Sequence, residues 1–480
     1  MEMLILCRTW IGAGNTNAEY KNQSQHVAQG TCTWILETDE YKKFLDTSQR
    51  KHLWVHGIPG IKPPVTVTRG DLKVVGAGKS VLCSFIITLM KEHHRTELKV
   101  LFFFCKDDST PAAIMSSLID QLIEGNCLKS LLNILKEERN ARAKSEKCTD
   151  FMVLWDIFVK MVNVLPTPIF VVLDALDECR KQDRPEMLHQ ILSTNGNIRC
   201  FLTSRKEFDI IDAFQGHSGI IQCSMAVDAD IARFVLQRVE QFDNLKNSHF
   251  KKRIIDEVPG KSRGMFQYAV LLLHELNTPS KDDIPDLLDS PPIGLNKMYQ
   301  RIIQRLDSSD TNPRHGEMLK TILWVVAVVC RTLTVTELAH MCAVNPSDTS
   351  FNLANRTLAK QRDFLNICGP LIEIVDDKVQ FAHSSVKDFL IRGSKNFPLD
   401  PQLDLVGKYL VQETEAHELV GTICSKCPFL RASFSWVPHK NMQKACRMPF
   451  LHIVSTSLLK VGIMSSRIAT KQSVSRRGTN

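Results

Sequence analysis

The chain has 480 residues, 44% of them hydrophobic and 23% charged, which excludes an intrinsically disordered protein and supplies apolar material for about three domains. The net charge of +8 is gathered at one end: residues 419–480 hold ten Lys or Arg and no Asp or Glu, so residues 1–418 carry 50 basic and 52 acidic side chains, a net of −2. That balance speaks against nucleic acid as a partner of the body, and the 15 scattered cysteines argue against a disulfide-stapled secreted domain.

Residues 1–30 are polar without sustained periodicity and read as an N-terminal tail. Residues 31–224 alternate short apolar runs with helical stretches. The runs Leu53–His56, Lys99–Phe104, Pro168–Leu173 and Ile198–Thr203 have the continuous apolarity of strands buried on both faces. Between them, Ala112–Glu124 repeats apolar residues at one-turn spacing. This is βαβ order, so the first domain is expected to be α/β with a parallel sheet. Residues 225–310 read as a small helical domain: Asp228–Phe242, with Asp228 as N-cap, then Gly264–Leu276 and Leu295–Leu306, with a proline-rich loop between the last two. Residues 311–400 hold an apolar helix at Met318–Cys330 and a capping box at Thr334–Glu337. Two β-rich runs, Leu371–Val375 and Val379–Ala382, then flank a short turn, a succession that predicts a winged helix. Residues 401–480 read as a basic tail, truncated or disordered. Thr321–Cys330 is about half the ~20 apolar residues that a membrane-spanning helix needs, and Met1–Cys7 makes a poor secretory signal. The cytoplasm is the expected location.

Chemistry concentrates in three places. After Leu53–His56 come Gly57-Ile-Pro-Gly60 and, further on, Ala77-Gly78-Lys79-Ser80. A phosphate loop needs glycines so that successive backbone N–H groups converge on an anion at a helix N-terminus. Its lysine reaches the terminal phosphates, and its hydroxyl residue ligates Mg²⁺. The motif is split, because removal of the 16 residues 61–76 restores a full G-x-x-x-x-G-K-S led by Gly57. Such an interruption is either a loop insertion or a retained intron. In either case a continuous nest of amides across it is in question. Next, the apolar strand Pro168–Leu173 ends in Asp174, placing a carboxylate where Mg²⁺ would be held opposite that loop. Asp177 and Glu178 follow it and can orient or deprotonate an attacking water. Finally, Arg205 stands just past a core strand and can sense a terminal phosphate in the same crevice.

Over residues 31–393 these pieces, in this order, resemble the fungal NOD-like, NACHT-type NTPases of the STAND class with a nephrocystin-type N-terminal domain. The motifs that carry the resemblance are Leu53–Gly60, Val171–Cys179 (VVLDALDEC), Phe201–Arg205 (FLTSR), Gly264–Ala269 (GMFQYA) and Phe381–Leu390 (FAHSSVKDFL). The resemblance implies a P-loop domain, a helical domain and a winged helix closing over ADP. Exchange for ATP would then open the molecule and permit homo-oligomerisation, with slow hydrolysis. It implies that His383 contacts the ADP phosphate. It further implies a signalling role in self/non-self recognition or programmed cell death. Gly57, Gly60, Gly78, Lys79, Ser80, Arg205 and His383 are thus the expected nucleotide contacts, Ser80 and Asp174 the metal ligands, and Asp177 and Glu178 the catalytic pair.

The family's usual repeats and N-terminal effector are not recognised in the sequence. Together with the split loop, that supports a second reading, a nucleotide-dead remnant or scaffold. Cys424 and Cys427 have zinc-knuckle spacing but lack a second such pair. A metabolic P-loop kinase is disfavoured because it needs no winged helix.

Overall fold

In the computed structural model the described residues are 2–12, 17–46, 51–57, 78–93, 99–106, 109–124, 129–142, 147–194, 197–246, 248–278, 283–308, 313–329, 331–344, 359–396, 404–427 and 429–430. They gather into two compact units, Met1–Met298 and another that begins at Tyr299.

The first unit is built on five parallel strands: β1 (His52–His56), β2 (Lys99–Phe104), β3 (Ile169–Asp174), β4 (Ile198–Ser204) and β5 (Ile220–Ser224). Their order is β2-β3-β4-β1-β5. Every residue of β1, β3 and β4 is buried, which is why these strands read as unbroken apolar runs. β5 is an edge strand with a single buried residue, Cys223. It lacks the apolar run of the others and was not expected from the sequence. Leu173 pairs with Leu202, and Val55 and His56 pair with Thr203 and Ser204. The carboxyl ends of β3, β4 and β1 therefore lie side by side. The chain leaves β1 for β2 at the far edge and returns through β3 to β4. That switch of direction opens a crevice at the carboxyl edge.

Helices accompany the sheet in chain order: α1 (Glu2–Ile11), α2 (Asn17–Gln25), α3 (Trp34–Glu37), α4 (Asp39–Leu45), α5 (Lys79–His93), α6 (Pro111–Ile123), α7 (Lys129–Ala141), α8 (Phe151–Asn163), α9 (Arg184–Leu192) and α10 (Phe208–Phe214). The expected N-terminal tail is thus corrected. Cys7, Trp10 and Ile11 of α1 are buried in the main apolar cluster, and the Trp10 carbonyl accepts the Cys148 N–H at 2.7 Å. On α2, Tyr20 packs its ring 5.1 Å from that of Phe102. The short apolar spacing in MEMLILCRTWI is enough to anchor a helix even though residues 1–30 as a whole are polar.

Beyond β5 the unit continues as α11 (Asp228–Gln241), α12 (Asp243–Lys246), α13 (Lys251–Ser262), α14 (Phe266–Asn277) and α15 (Asp283–Asp289), and the boundary between the units falls within α16 (Gly294–Ser308). Two details differ from expectation. Asp228 lies in the first turn of α11, whose N-cap is Val227, and α15 occupies part of the proline-rich stretch taken as a loop.

From Tyr299 onward, α17 (Pro313–Val328), α18 (Val335–Ala343), α19 (Gln361–Cys368) and α20 (Ser384–Asn396) surround a small sheet of β6 (Leu333–Thr334), β7 (Ile372–Val375) and β8 (Lys378–Phe381), in the order β6-β8-β7. This is a winged helix. The β7–β8 turn places Asp376 and Asp377 at φ +48° and +62°, the left-handed pair that a two-residue hairpin turn requires. The expected tail is corrected here too. Two further helices, α21 (Asp404–Gly407) and α22 (Glu413–Lys426), follow, and Tyr409 between them is fully buried. The Tyr409 carbonyl accepts the Trp324 indole N–H at 3.1 Å, and its hydroxyl donates to Asp307 at 2.6 Å. No helix among the described residues is long and apolar enough to cross a membrane.

Candidate functional site

The site is assembled at the carboxyl edge of the sheet by two strands and one helix. α5 opens directly with Lys79 and Ser80. Gly78 precedes it at φ +78°, a left-handed conformation that suits glycine. The first intrahelical bond runs from the Leu82 N–H to the Gly78 carbonyl at 3.0 Å, so the N–H groups of Lys79, Ser80 and Val81 have no acceptor within the helix. A Cβ at position 78 would lie 3.4 Å from the Phe266 ring. The aromatic residue of the GMFQYA motif therefore packs against the phosphate-binding half-motif within the first unit.

Asp174 closes β3 and is buried. The Ser80 hydroxyl donates to one of its oxygens and the Thr203 hydroxyl to the other, both at 2.5 Å. The Thr203 oxygen also accepts the Ala175 N–H at 3.0 Å, which fixes the turn where Ala175 adopts φ +53°. Burial pushes the Asp174 carboxyl pKa up, while the hydroxyls of Ser80 and Thr203 and the charge of Lys79 pull against it. Burial likewise lowers the Lys79 ammonium pKa, opposed by Asp177, Asp174 and Glu178 and assisted by Arg205. The Cys83 thiol, 3.5 Å from Asp174, is driven well above its ordinary value by burial and by that carboxylate, so it is chemically quiet.

Asp177 and Glu178 lie on a short 3₁₀ turn, Leu176–Glu178, directly after the strand. Asp177 accepts the Arg205 backbone N–H at 2.8 Å and pairs with its Nε at 3.2 Å. Glu178 stands 3.9 Å from the same guanidinium. On β1, the Trp54 indole donates to Ser204 at 2.8 Å. Burial lowers the pKa of the neighbouring His56 to about 4; its Nδ1 lies 3.2 Å from the Gly57 carbonyl.

Of the residues singled out in the sequence, Lys79, Ser80, Asp174, Asp177, Glu178 and Arg205 are thus brought together. Gly57 ends β1 and Gly78 opens α5, while Gly60 and the interrupting segment 61–76 lie outside the described residues. His383 belongs to the second unit, where its Nδ1 is 2.7 Å from the Ser385 hydroxyl. Three participants were missed. Thr203 lies within the FLTSR motif, but only strand register reveals that its hydroxyl reaches Asp174. Phe266 lies within the GMFQYA motif, but nothing along the chain shows that its ring reaches Gly78. The buried Arg184, which binds the acidic turn from α9, carried no motif of its own. Among the described residues no group of His, Cys, Asp or Glu is arranged to hold a metal by itself, Cys424 and Cys427 included. The donor set at Asp174 is instead one carboxylate with two hydroxyls. Hard oxygen ligands of that kind suit Mg²⁺ shared with phosphate, and the helix start with its lysine suits the phosphate itself. The residues present therefore fit a Mg²⁺–nucleotide.

A parallel sheet with a lysine-led helix start facing a strand-end carboxylate is the arrangement of a P-loop NTPase domain, and a winged helix follows it along the chain. Residues 30–61 and 74–205 match the family described as nephrocystin 3, N-terminal. Residues 306–399 match the winged helix domain of GPI inositol-deacylase. The vegetative incompatibility protein HET-E-1 of Podospora anserina is 25% identical over 380 residues, which is 75% of this chain and 26% of that protein; the chain thus spans about a quarter of its relative's length. Among solved structures, the Aeropyrum pernix ORC1 protein in complex with DNA is 11% identical at TM-score 0.35, covering 78% of this chain and 91% of that one. Cdc6p from Pyrobaculum aerophilum is 10% identical at TM-score 0.36, covering 83% and 99%.

Proposed function

We propose that the chain is an ATP/ADP-binding switch of the STAND class with slow hydrolysis, acting in signalling for self/non-self recognition or programmed cell death. The observation that carries this reading is the placement of Lys79 and Ser80, at the start of α5, directly against Asp174 at the end of β3. When bound, Mg²⁺–ATP supplies the phosphoryl group and the charge that the site must neutralise. Lys79 and the first-turn amides take the phosphates, and Ser80 and Asp174 provide metal ligands. Both Asp177 oxygens are occupied by Arg205, so Asp177 is assigned to holding that arginine. Glu178, in the looser pairing, is assigned to accept the proton of the attacking water. Arg205 would meet the terminal phosphate. His383 as a contact for ADP, and self-association in the ATP state, belong to the same proposal. So do the domain limits 31–224, 225–310 and 311–400.

Titration of the full chain with a fluorescent ATP analogue tests this reading. Lys79→Ala is expected to weaken binding at least about tenfold, the loss of one charge-assisted contact. Unchanged affinity would overturn the reading. One observation favours the nucleotide-dead alternative: the family match skips residues 62–73, inside the segment that splits the phosphate motif. Under that alternative the parent chain shows no Lys79-dependent binding at all.

A further inference from the structure

The catalytic turn has a second arginine that no motif announced. Arg184 is the first residue of α9 and only 3% exposed. One terminal nitrogen, Nη2, donates to the main-chain carbonyls of Asp177 and Cys179 at 2.8 and 3.0 Å. The other, Nη1, donates to both carboxylate oxygens of Asp209 at 3.1 and 2.8 Å. Asp209 lies on α10, four residues after Arg205. Two arginines thus close a ring. Arg205 grips the Asp177 side chain, Arg184 grips the main chain of the same turn, and Asp209 ties Arg184 back to the element that follows Arg205.

We propose that Arg184 is a positioning residue for ATP hydrolysis, fixing the main chain of the acidic turn so that Glu178 and Arg205 keep a set relation to the phosphate crevice; this rests on the nucleotide-site reading above. Its burial keeps it from touching nucleotide, so its effect passes through the turn. The planar guanidinium is what allows it to serve two carbonyls with one nitrogen and a carboxylate with the other. A lysine presents a single ammonium and cannot span both sets of acceptors. Asp209→Asn, in contrast, leaves the two carbonyl bonds in place while removing the ion pair. The two substitutions therefore separate tethering of the turn from stabilisation by charge.

The test compares the full-length parent, Arg184→Lys, Asp209→Asn and Lys79→Ala. It measures ATP-analogue affinity, the single-turnover hydrolysis rate, and hydrogen exchange of peptides covering residues 175–183 without nucleotide. Arg184→Lys is expected to keep its affinity within about threefold and to lose at least about tenfold in rate, a split that a general loss of fold would not produce. It should also exchange faster over 175–183 than either the parent or Asp209→Asn, with exchange over β7 and β8 unchanged. Asp209→Asn should hold its rate within about threefold of the parent. A parental rate and parental exchange in Arg184→Lys would overturn the proposal. So would a parallel fall of rate and affinity in both variants. If the parent lacks Lys79-dependent binding, the nucleotide reading fails on that measurement. The exchange comparison still decides the tether, which is overturned if Arg184→Lys and Asp209→Asn exchange alike over 175–183.

Discussion

His52 opens β1, and its ring accepts the Cys200 N–H at Nδ1 (3.1 Å) while Nε2 lies 3.3 Å from the Thr194 hydroxyl. Because Nδ1 accepts, the neutral ring must carry its proton on Nε2, and a second proton would break the bond to Cys200. Burial, reinforced by His217 and Arg199, lowers its pKa from 6.5 to about 4. The folded state therefore resists a proton that the unfolded chain takes up below 6.5. This contribution to stability is complete above pH 6.5 and is lost as pH falls toward 4, amounting to about 2 kcal/mol by pH 5. His52→Asn keeps an acceptor without the titration, so its urea midpoint should drop less than the parent's between pH 7 and pH 5. Parallel drops would contradict the assignment. Single residues of this kind divide sharply by legibility. Lys79, Ser80 and Asp174 could be read because phosphate and metal chemistry restrict both residue type and order along the chain. Thr203 and His52 could not, since the partners Asp174 and Cys200 are 29 and 148 positions away and meet them only through strand register. Nor could Arg184, whose nearby partners are main-chain carbonyls that leave no mark in the sequence and whose carboxylate partner is 25 positions away.

Elements were legible where one physical requirement dominated. Strands buried on both faces announce themselves as unbroken apolar runs, so β1 to β4 fall within a residue of expectation. The edge strand β5 bears no such demand and was overlooked, as were α1 and α2, whose apolar spacing was diluted by polar neighbours. Capping chemistry is equally local. The Thr334 hydroxyl accepts the Glu337 N–H at 3.1 Å, and the Glu337 carboxylate accepts the Thr334 N–H at 2.9 Å. That carboxylate is also bound by Arg331 at 2.6 Å. Thr334→Ala should cost about 1 kcal/mol in urea unfolding, whereas Thr334→Ser should stay within about 0.5 kcal/mol of the parent because it keeps the capping oxygen. Equal losses in both would place the stabilisation in the threonine methyl group instead.

For the molecule as a whole, the decisive quantity is what sixteen inserted residues cost. The length-dependent entropy of closing a chain of that length is about 2.5 kcal/mol, equivalent to roughly 60-fold in affinity. Deleting residues 61–76 to restore the uninterrupted motif should therefore strengthen ATP binding by a factor between about three and 60 if the insertion merely has to be folded aside. No gain would mean that the two half-motifs already meet. Nucleotide binding that arises only after the deletion would establish the parent as nucleotide-dead. The architecture of alternating strands followed by helices and a hairpin was readable along the chain. The fate of residues 401–430 was not, because the basic stretch that follows them drew attention away from a segment that is itself slightly acidic, two Lys against one Asp and three Glu, and whose Tyr409, Val411 and Ile423 are all buried. That packing bears on how the winged helix can be dissected. A fragment ended at residue 400, as composition would suggest, strips Trp324 of its carbonyl acceptor and Asp307 of the Tyr409 hydroxyl. Any piece intended to stand alone should run through Leu430.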